Sequence, residues 1–519
     1  MVIQKVAGKS KLSKMELVFL ILTATLTITI VSTSSPLYPF NPWDDANCFF
    51  TVGRGIIHGL IPYRDLYEQK GPLLYFIYAF AALISEKSFI GGWIAECIMA
   101  SLFAIFSWKT VKLFTEPSKF ALALMPLLLG LTYTSRLFNF GGNAEELCFP
   151  LLMTALYFGL RSIVEDDGLP NDTEAFICGL ITASLFWIKY TFIGFMAGFC
   201  LYIMILTVKR RSFARLWSLV WRFICGFVII TVPILLYFVL NGSLKYLWEG
   251  YFYNNIFLYH SGKPASGLTT IPVVKNIYIP LYCTIVIGRE FPKFGVMLLC
   301  SLVSLVYILF IKKTYRKKIL VFFALTFFLT LGGVFTRNSY IYYYEYISAY
   351  CFSILLIPAV MAVNYLGKVF KKSPSLLQGI AAFLLTAVFA VVLLLGKNSY
   401  LFLQKKDFLA QYRYAEIINQ TPNAKILTYD IMDSGFYTAA GLLPQNRFFC
   451  YLNIEVSYPA ILEEQNRLIR DGFYDYIITT DYCDCEWDNY ELIREETDPH
   501  AGFSGKKVRK GYNLYKKIQ

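Results

Sequence analysis

The segment Asn41-Pro-Trp-Asp-Asp-Ala-Asn-Cys-Phe49 follows the first long apolar run of the chain. With Gly59–Asp65 and Lys70-Gly-Pro-Leu-Leu-Tyr75 it belongs to a predicted outer loop, residues 35–89. The segment contains two adjacent carboxylates, Asp44 and Asp45, where the chain leaves the membrane. Such a pair is either a solvated feature of a loop or a group that takes part in chemistry at the membrane surface.

The chain on both sides of this segment is dominated by apolar runs. It has 519 residues, of which 56% are hydrophobic and 16% charged, and its mean hydropathy is +0.51. Soluble proteins carry about 25% charged residues. Repeated apolar runs of about 18–25 residues are each long enough to cross the hydrocarbon core. The composition therefore predicts an α-helical polytopic membrane protein.

The apolar runs predict about eleven spans in all. The first, at 15–34, is too long for a cleaved signal peptide and is expected to stay as a signal anchor. Within the outer loop, the shorter run at 73–85 predicts an interfacial helix. The other expected spans are residues 90–113, 119–136, 145–162, 174–189, 191–208, 219–240, 294–311, 319–336, 345–366 and 376–396.

Basic residues cluster in short runs between the apolar segments. The lysines of the N-terminus and the basic runs at 109–119, 209–215, 312–318 and 368–372 then fall on the cytoplasmic side, as the positive-inside rule requires. This pattern explains the net charge of +13 without a nucleic-acid partner. We expect a multi-pass protein of the cell membrane with a cytoplasmic N-terminus, and an odd number of spans puts the C-terminus outside.

Residues 397–519 differ in character from the transmembrane module predicted for residues 1–396. Strand-like runs at 425–429 and 474–480 alternate with a helical pattern at 458–470. This order predicts a small extracytoplasmic α/β domain. The sequence has no internal repeat, and the absence of two similar halves weakens a transporter interpretation.

The first outer loop carries further candidate residues, Arg64, Asp65 and Lys70. The glycines and prolines around them are typical of a loop that joins two interfacial helices. The alternative is a phosphate site, because Arg binds phosphate oxygens bidentately and Lys acts as a point charge. A partly desolvated carboxylate of the pair Asp44 and Asp45 would then act as a general base on a substrate held by the membrane.

Later parts of the chain contribute four more candidates. Glu145 stands in the first turn of a predicted helix, where the helix dipole favours negative charge, or else it faces a site. Lys189 is either a lysine that snorkels to the interface or a functional charge. Arg337 precedes a run of aromatic residues that includes Tyr343. That run is either an interfacial aromatic belt or a place that holds a lipid-linked phosphate and stacks a sugar ring.

Several common cofactor signatures are missing from the sequence. The twelve cysteines are scattered and do not form a disulfide framework, and Cys483-Asp-Cys485 lacks the partner ligands of a zinc site. There is no P-loop and no dinucleotide-binding fingerprint. We therefore expect no required cofactor, and no metal ligand is predicted.

Taken together, these motifs resemble the GT-C superfamily of membrane glycosyltransferases. The family 39-like branch, which includes protein O-mannosyltransferases and lipid A aminoarabinose transferases, is the most similar. Its motifs have counterparts here in Trp43-Asp44-Asp45, Gly59–Asp65, Lys70–Tyr75, Trp187–Tyr190 and Arg337 with Tyr342–Tyr344. Two residues depart from the family pattern. Asp45 replaces a Glu and Gly71 replaces a Pro, which leaves the subfamily open.

The resemblance implies a hexosyl- or pentosyltransferase that takes a sugar from a polyprenyl-phosphate donor with inversion. The acceptor would be a cell-wall polysaccharide, a teichoic acid, a lipid glycan or a protein on the outer face of the bilayer. By the same resemblance Asp44 is the base and Asp45 the second candidate, while Lys70, Arg337 and Lys189 stabilise the departing lipid phosphate. A lipid phosphate is a reasonable leaving group, so a divalent metal is not obligatory, and relatives differ on this point.

Three other functions stay open at this stage. A transporter or flippase for a lipid-linked glycan predicts charges or broken helices at mid-membrane, whereas the charges here gather at the outer surface. A glycan polymerase or ligase of another fold would carry its essential residues in a late outer loop. A non-catalytic relative would not require the acidic pair.

Overall fold

The structure is a computed structural model. It describes residues 12–114, 122–166, 168–259, 292–311, 313–334, 341–345, 347–350, 398–454, 457–481, 485–497 and 511–518, with Cys483 and isolated positions between 357 and 396. The first part is helical: α1 (Lys14–Val31), α2 (Asp44–Ile57), α3 (Pro72–Ile84), α4 (Ile90–Phe114), α5 (Met125–Tyr133), α6 (Ala144–Glu165), α7 (Asp172–Lys189), α8 (Ile193–Lys209), α9 (Phe213–Leu240), α10 (Leu244–Leu247), a π-helix (Trp248–Leu258), α11 (Pro292–Ile311) and α12 (Arg316–Val334).

Five helical segments of the described part are long and apolar enough to cross a membrane. They are Lys14–Val31, Ile90–Phe114, Ala144–Glu165, Asp172–Lys209 and Phe213–Leu240. Most of the spans expected from the sequence therefore have a helix within a few residues of the predicted ends. The spans expected at 174–189 and 191–208 correspond to α7 and α8, which only the short 3₁₀ turn Tyr190–Phe192 separates.

One expected span, at residues 119–136, is described only in part. Its described helix, α5, covers Met125–Tyr133. Residues 115–121 and nearly all of the spans expected at 345–366 and 376–396 lie outside the described residues. The total of about eleven spans stays a prediction.

The C-terminal part contains the four described β-strands. Its elements are α13 (Ala410–Ile418), β1 (Ile426–Thr428), α14 (Phe436–Ala440), α15 (Ala460–Arg470), β2 (Tyr476–Thr480), β3 (Tyr490–Thr497) and β4 (Gly511–Lys517). The strands form one sheet in the order β1-β2-β4-β3, with β1 and β2 parallel and the other pairs antiparallel. The two strands and the helix expected from the sequence are present, and β3 and β4 complete the sheet. The domain boundary and its side of the membrane stay predictions.

This C-terminal part packs directly on α2. The Thr51 hydroxyl donates a hydrogen bond to Asp433 (2.5 Å), and the Arg54 guanidinium donates to the carbonyl of Tyr437 (3.2 Å). The Sγ atoms of Cys48 and Cys450 lie 3.9 Å apart, although 402 residues separate them in the chain. Buried polar groups are usually hydrogen-bonded, so these contacts determine the position of α2 relative to the C-terminal part.

Candidate active site

Helix α2 begins at the acidic pair, and the side chains of Asn41, before the helix, and Asn47, within it, hold its first turn. The amide N–H of Trp43 donates to the Asn41 side chain (2.9 Å), and the Asn47 side chain donates to the carbonyls of Asn41 and Trp43 (2.9 Å each). Negative charge in the first turn of a helix is favoured by the helix dipole. Asp44 and Asp45 are therefore held in a well-defined turn.

The two carboxylates of the pair point to different neighbours. Successive residues of an α-helix are about 100° apart around its axis, so Asp44 and Asp45 cannot share one face. Asp44 accepts a hydrogen bond from the Ser434 hydroxyl of the C-terminal part (2.8 Å). Asp45 is buried, lines a cavity, and lies with its Oδ2 atom 3.8 Å from Lys70 Nζ.

The cavity is formed by residues from five parts of the chain. It lies between the first loop, the turn that joins α7 to α8, the π-helix, the turn Ile341–Tyr344 and the C-terminal part. Its lining residues are Asp45, Glu68, Gln69, Lys70, Ile188, Lys189, Tyr190, Thr191, Tyr251, Asn255, Tyr259, Tyr342, Tyr343, Met432, Leu452 and Asn453.

Lys70 lies between two carboxylates in this cavity. Its Nζ atom is 3.8 Å from Asp45 and 3.9 Å from Glu68, and it lies over the ring of Phe49 at 5.3 Å. Glu68 also accepts hydrogen bonds from the Lys70 amide (2.8 Å) and from the hydroxyl of Tyr75. Glu68 therefore fixes both the backbone and the ammonium group of Lys70.

Gly71 brings the Lys70 loop against the end of α7. Its amide N–H donates to the carbonyl of Ile188 (3.0 Å), and an added Cβ would lie 2.0 Å from the carbonyl oxygen of Trp187. A proline lacks this N–H donor. The departure from the family pattern at position 71 therefore has a physical reason in this chain.

The carboxylates and Lys70 shift one another's titration. Burial raises the pKa of Asp45 to about 6; the Lys70 ammonium opposes this shift, and Glu68 and Glu145 add to it. Burial alone would lower the pKa of Lys70, but Asp45 and Glu68 raise it above its ordinary value. Lys70 therefore stays charged, while Asp45 changes protonation close to neutral pH.

Lys189 reaches the same cavity from the C-terminal end of α7. Its ammonium group forms an ion pair with Glu145, which stands in the first turn of α6. The same group lies over the ring of Tyr343, 4.0 Å from its centroid. Glu145 is almost fully buried and does not line the cavity. It is connected to the site by its ion pair with Lys189 and by its charge, which helps to raise the pKa of Asp45.

Two of the predicted residues lie away from the cavity lining. Arg64 and Asp65 pair with each other through two hydrogen bonds of 2.8 Å, and Arg64 also donates to the carbonyl of Asn241 (3.3 Å). Asp65 accepts from the amide of Ile61 (2.8 Å), which holds the loop. Arg337 lies outside the described residues. A substrate role for these three residues stays a prediction.

Sequence reasoning missed several residues of the cavity. Glu68 lies between the motifs Gly59–Asp65 and Lys70–Tyr75, two residues before Lys70, and that proximity was the available signal. The other missed groups come from distant segments and carry no local motif: Tyr251, Asn255 and Tyr259 of the π-helix region, and Met432, Leu452 and Asn453 of the C-terminal part.

The described residues contain no group of three or more His, Cys, Asp and Glu side chains that could hold a metal ion. Asp45 and Glu68 instead share the ammonium group of Lys70.

Comparison with solved structures identifies the fold. The chain is similar to the crystal structure of ArnT from Cupriavidus metallidurans bound to undecaprenyl phosphate, with a TM-score of 0.56 and 11% identity over 97% of this chain and 98% of ArnT. The apo state of the same ArnT gives a TM-score of 0.55 and 11% identity over 96% and 97%. The chain has the ArnT fold. No family model and no curated protein sequence matches it.

The ArnT fold covers nearly the whole of both chains. It confirms the predicted fold class, a protein of many apolar helices with a small sheet. Together with the five long apolar helices, it also supports a location in a membrane. At 11% identity the likeness to ArnT shows the fold alone.

Proposed function

We propose that this protein is a membrane glycosyltransferase that moves a sugar from a polyprenyl-phosphate donor to an acceptor hydroxyl. The observation that carries the proposal is the cavity in which Asp45, Lys70 and Lys189 meet. It combines a carboxylate whose pKa is raised by burial to about 6 with two ammonium groups. The ArnT structure of similar fold was crystallised with undecaprenyl phosphate, which supports a lipid phosphate as the donor carrier.

In the proposed reaction an acceptor hydroxyl attacks the anomeric carbon of the donor sugar. The carboxylate takes the hydroxyl proton, a new C–O bond forms, and the bond from the anomeric carbon to the phosphate oxygen breaks. The electron pair of that bond stays with the lipid phosphate. Lys70 and Lys189 stabilise the negative charge that develops there, and attack from the opposite side inverts the anomeric carbon.

The two acids have different support as the base. Family resemblance favours Asp44, the first acid of the pair. Position favours Asp45, because it lines the cavity beside Lys70, while Asp44 hydrogen-bonds Ser434. We therefore propose Asp45 as the base and Asp44 as the residue that aligns the start of α2 with the C-terminal part.

The proposed topology puts the N-terminus in the cytoplasm and residues 397–519 outside. The acceptor then belongs to the outer surface, as a wall polysaccharide, teichoic acid, lipid glycan or protein. Reporter fusions at the two ends of the chain test this arrangement directly. A cytoplasmic C-terminus would contradict it.

The function is tested with purified protein in proteoliposomes and a panel of polyprenyl-phosphate sugars, with extracted cell-surface glycans as acceptors. We expect release of free polyprenyl phosphate together with glycosylated acceptor, and loss of both in the Asp45→Asn variant. Movement of the intact donor across the bilayer without its cleavage would contradict the transferase proposal and support a flippase.

A further inference from the structure

One wall of the cavity is built on a π-helix of eleven residues, Trp248–Leu258. π-Helices are rare, usually consist of a single turn, and occur often at functional sites. Tyr251 and Asn255 of this helix line the cavity, and so does Tyr259, the residue that follows it. These three positions are four residues apart and lie near one face of the helix.

The outer side of the π-helix is anchored at several points away from the cavity lining. Glu249 accepts hydrogen bonds from Arg447 (2.9 Å) and Tyr458 (2.5 Å) of the C-terminal part. The Asn254 side chain donates to the hydroxyl of Tyr67 in the first loop (2.6 Å). These contacts hold the helix between two separate parts of the chain.

Gly250 makes a close approach to the first loop possible. An added Cβ at this position would lie 2.5 Å from the ring of Tyr63. The Tyr63 hydroxyl in turn donates to the carbonyl of Lys70 (2.6 Å). The π-helix is therefore fitted against the segment that presents Lys70, and its position relative to the charged groups is defined.

Two residues of the cavity face have hydrogen bonds that fix their place. Tyr251 donates its hydroxyl proton to the carbonyl of Phe186 (2.5 Å) and accepts from the amide of Tyr190 (3.1 Å). The Asn255 side chain donates to the carbonyl of Gln69 (2.7 Å), next to Lys70. Tyr251 thus has a structural role. The Asn255 side-chain nitrogen also donates to the carbonyl of Tyr251 (2.9 Å), so the Asn255 atom that can accept a hydrogen bond from a ligand in the cavity is Oδ1.

Tyr259 and Tyr343 both line the cavity and interact through their hydroxyl groups. Their hydroxyl oxygens lie 3.1 Å apart, and Lys189 Nζ lies over the Tyr343 ring. This wall carries aromatic rings, hydroxyls and an amide, whereas the formal charges of the lining come from Asp45, Glu68, Lys70 and Lys189. Aromatic faces and neutral hydrogen-bonding groups suit a sugar ring with its apolar face and hydroxyls, while the lysines suit a phosphate.

Because the neutral and aromatic groups of the cavity are separate from its charged groups, we infer that Asn255 and Tyr259, held by the π-helix, contact the sugar of the donor. These two residues then determine which sugar is transferred. The inference rests on the proposed function. By this inference, the π-helix discriminates between sugars that differ in the orientation of one hydroxyl. A site that hydrogen-bonds one hydroxyl discriminates strongly against a substrate that does not offer it.

The test compares Tyr259→Phe and Tyr259→Ala, at the residue that follows the π-helix, with matched variants of Tyr253 within it. Tyr253 is 44% exposed and does not line the cavity. The probes are polyprenyl-phosphate glucose, galactose and mannose, and the readout is kcat/KM for polyprenyl phosphate release. The affinity for sugar-free polyprenyl phosphate is measured in parallel. This affinity depends on the lysines that would bind the phosphate and not on Asn255 and Tyr259, which would contact the sugar.

We expect Tyr259→Phe to change the ratio of kcat/KM between two epimeric donors by about tenfold or more, with polyprenyl phosphate affinity within about twofold of the parent. Tyr253→Phe should change neither quantity. A parent protein that is active while every Tyr259 variant keeps the parental ratio overturns the inference and leaves the proposed function intact. A folded parent that releases no polyprenyl phosphate from any donor overturns both.

Discussion

Asp45 Oδ2 lies 3.8 Å from Lys70 Nζ, at the meeting point of a helix start and a loop that are 25 positions apart in the chain. The neighbouring carboxylate, Asp44, instead hydrogen-bonds Ser434 of the C-terminal part. Two adjacent acids of the same type therefore have separate surroundings. Asp45 lies beside Lys70, the cation that would bind a phosphate, and Asp44 connects α2 to the C-terminal part.

Replacing each acid singly with Asn separates these roles. Asp45→Asn should lower kcat for donor cleavage by about 100-fold or more, because general-base catalysis contributes about 10²–10⁴-fold. Asp44→Asn keeps a hydrogen-bond acceptor for Ser434 and should lose less activity. Ser434→Ala is the matched control for Asp44. Wild-type rates in Asp45→Asn with strong loss in Asp44→Asn would restore Asp44 as the base.

The pH dependence of the reaction follows from the raised pKa of Asp45, about 6. A base must be deprotonated, so the rate should rise with pH through this value and level off above it. The measurement is kcat/KM for donor cleavage across about pH 5–8, the range in which the ascending limb is expected. The Lys70 ammonium stabilises the deprotonated form of Asp45. Lys70→Met should therefore raise the pKa of Asp45 and move the ascending part of the pH–rate profile to higher pH, measured on the residual activity. A flat profile over the whole range would contradict the assignment.

Gly71→Ala should destabilise the protein. The new Cβ would lie 2.0 Å from the Trp187 carbonyl oxygen, and backbone atoms cannot move away cheaply. Overpacking of this kind costs roughly 1–3 kcal/mol, and a lower Tm in detergent would report it. Gly92→Ala is the control, since its nearest contact is an ordinary 3.7 Å. Equal stability of the two variants would argue against the close approach of the loop to α7.

The contact between α2 and the C-terminal part predicts a specific cross-link. Cys48 and Cys450 are buried with their Sγ atoms 3.9 Å apart, so mild oxidation with copper phenanthroline should join them. Mass spectrometry of digested protein detects the linked peptide, and Cys48→Ser removes it. Cys97 is also buried and supplies a control thiol that should stay unlinked to Cys450. Persistent alkylation of both cysteines after oxidation would speak against this packing.

Local chemistry was enough to predict much of this protein from its sequence. Apolar runs long enough to cross a bilayer indicated a membrane protein, and the Asp44-Asp45 pair with the Lys70 motif indicated a surface site and the fold class. Such features depend on composition and on neighbours a few residues away. The expected span at 119–136 is described only in part, by the helix Met125–Tyr133, and it stays a prediction.

Only the tertiary structure decided which of these residues meet. The ion pair of Lys189 with Glu145, the place of Asp45 beside Lys70, and the π-helix wall all join segments distant in the chain. The sequence determined that two acids follow the first apolar run, and the structure shows that they begin helix α2. The rotation of about 100° between successive helical residues, together with the packing of the tail on α2, decided that Asp45 faces the cavity and Asp44 faces Ser434.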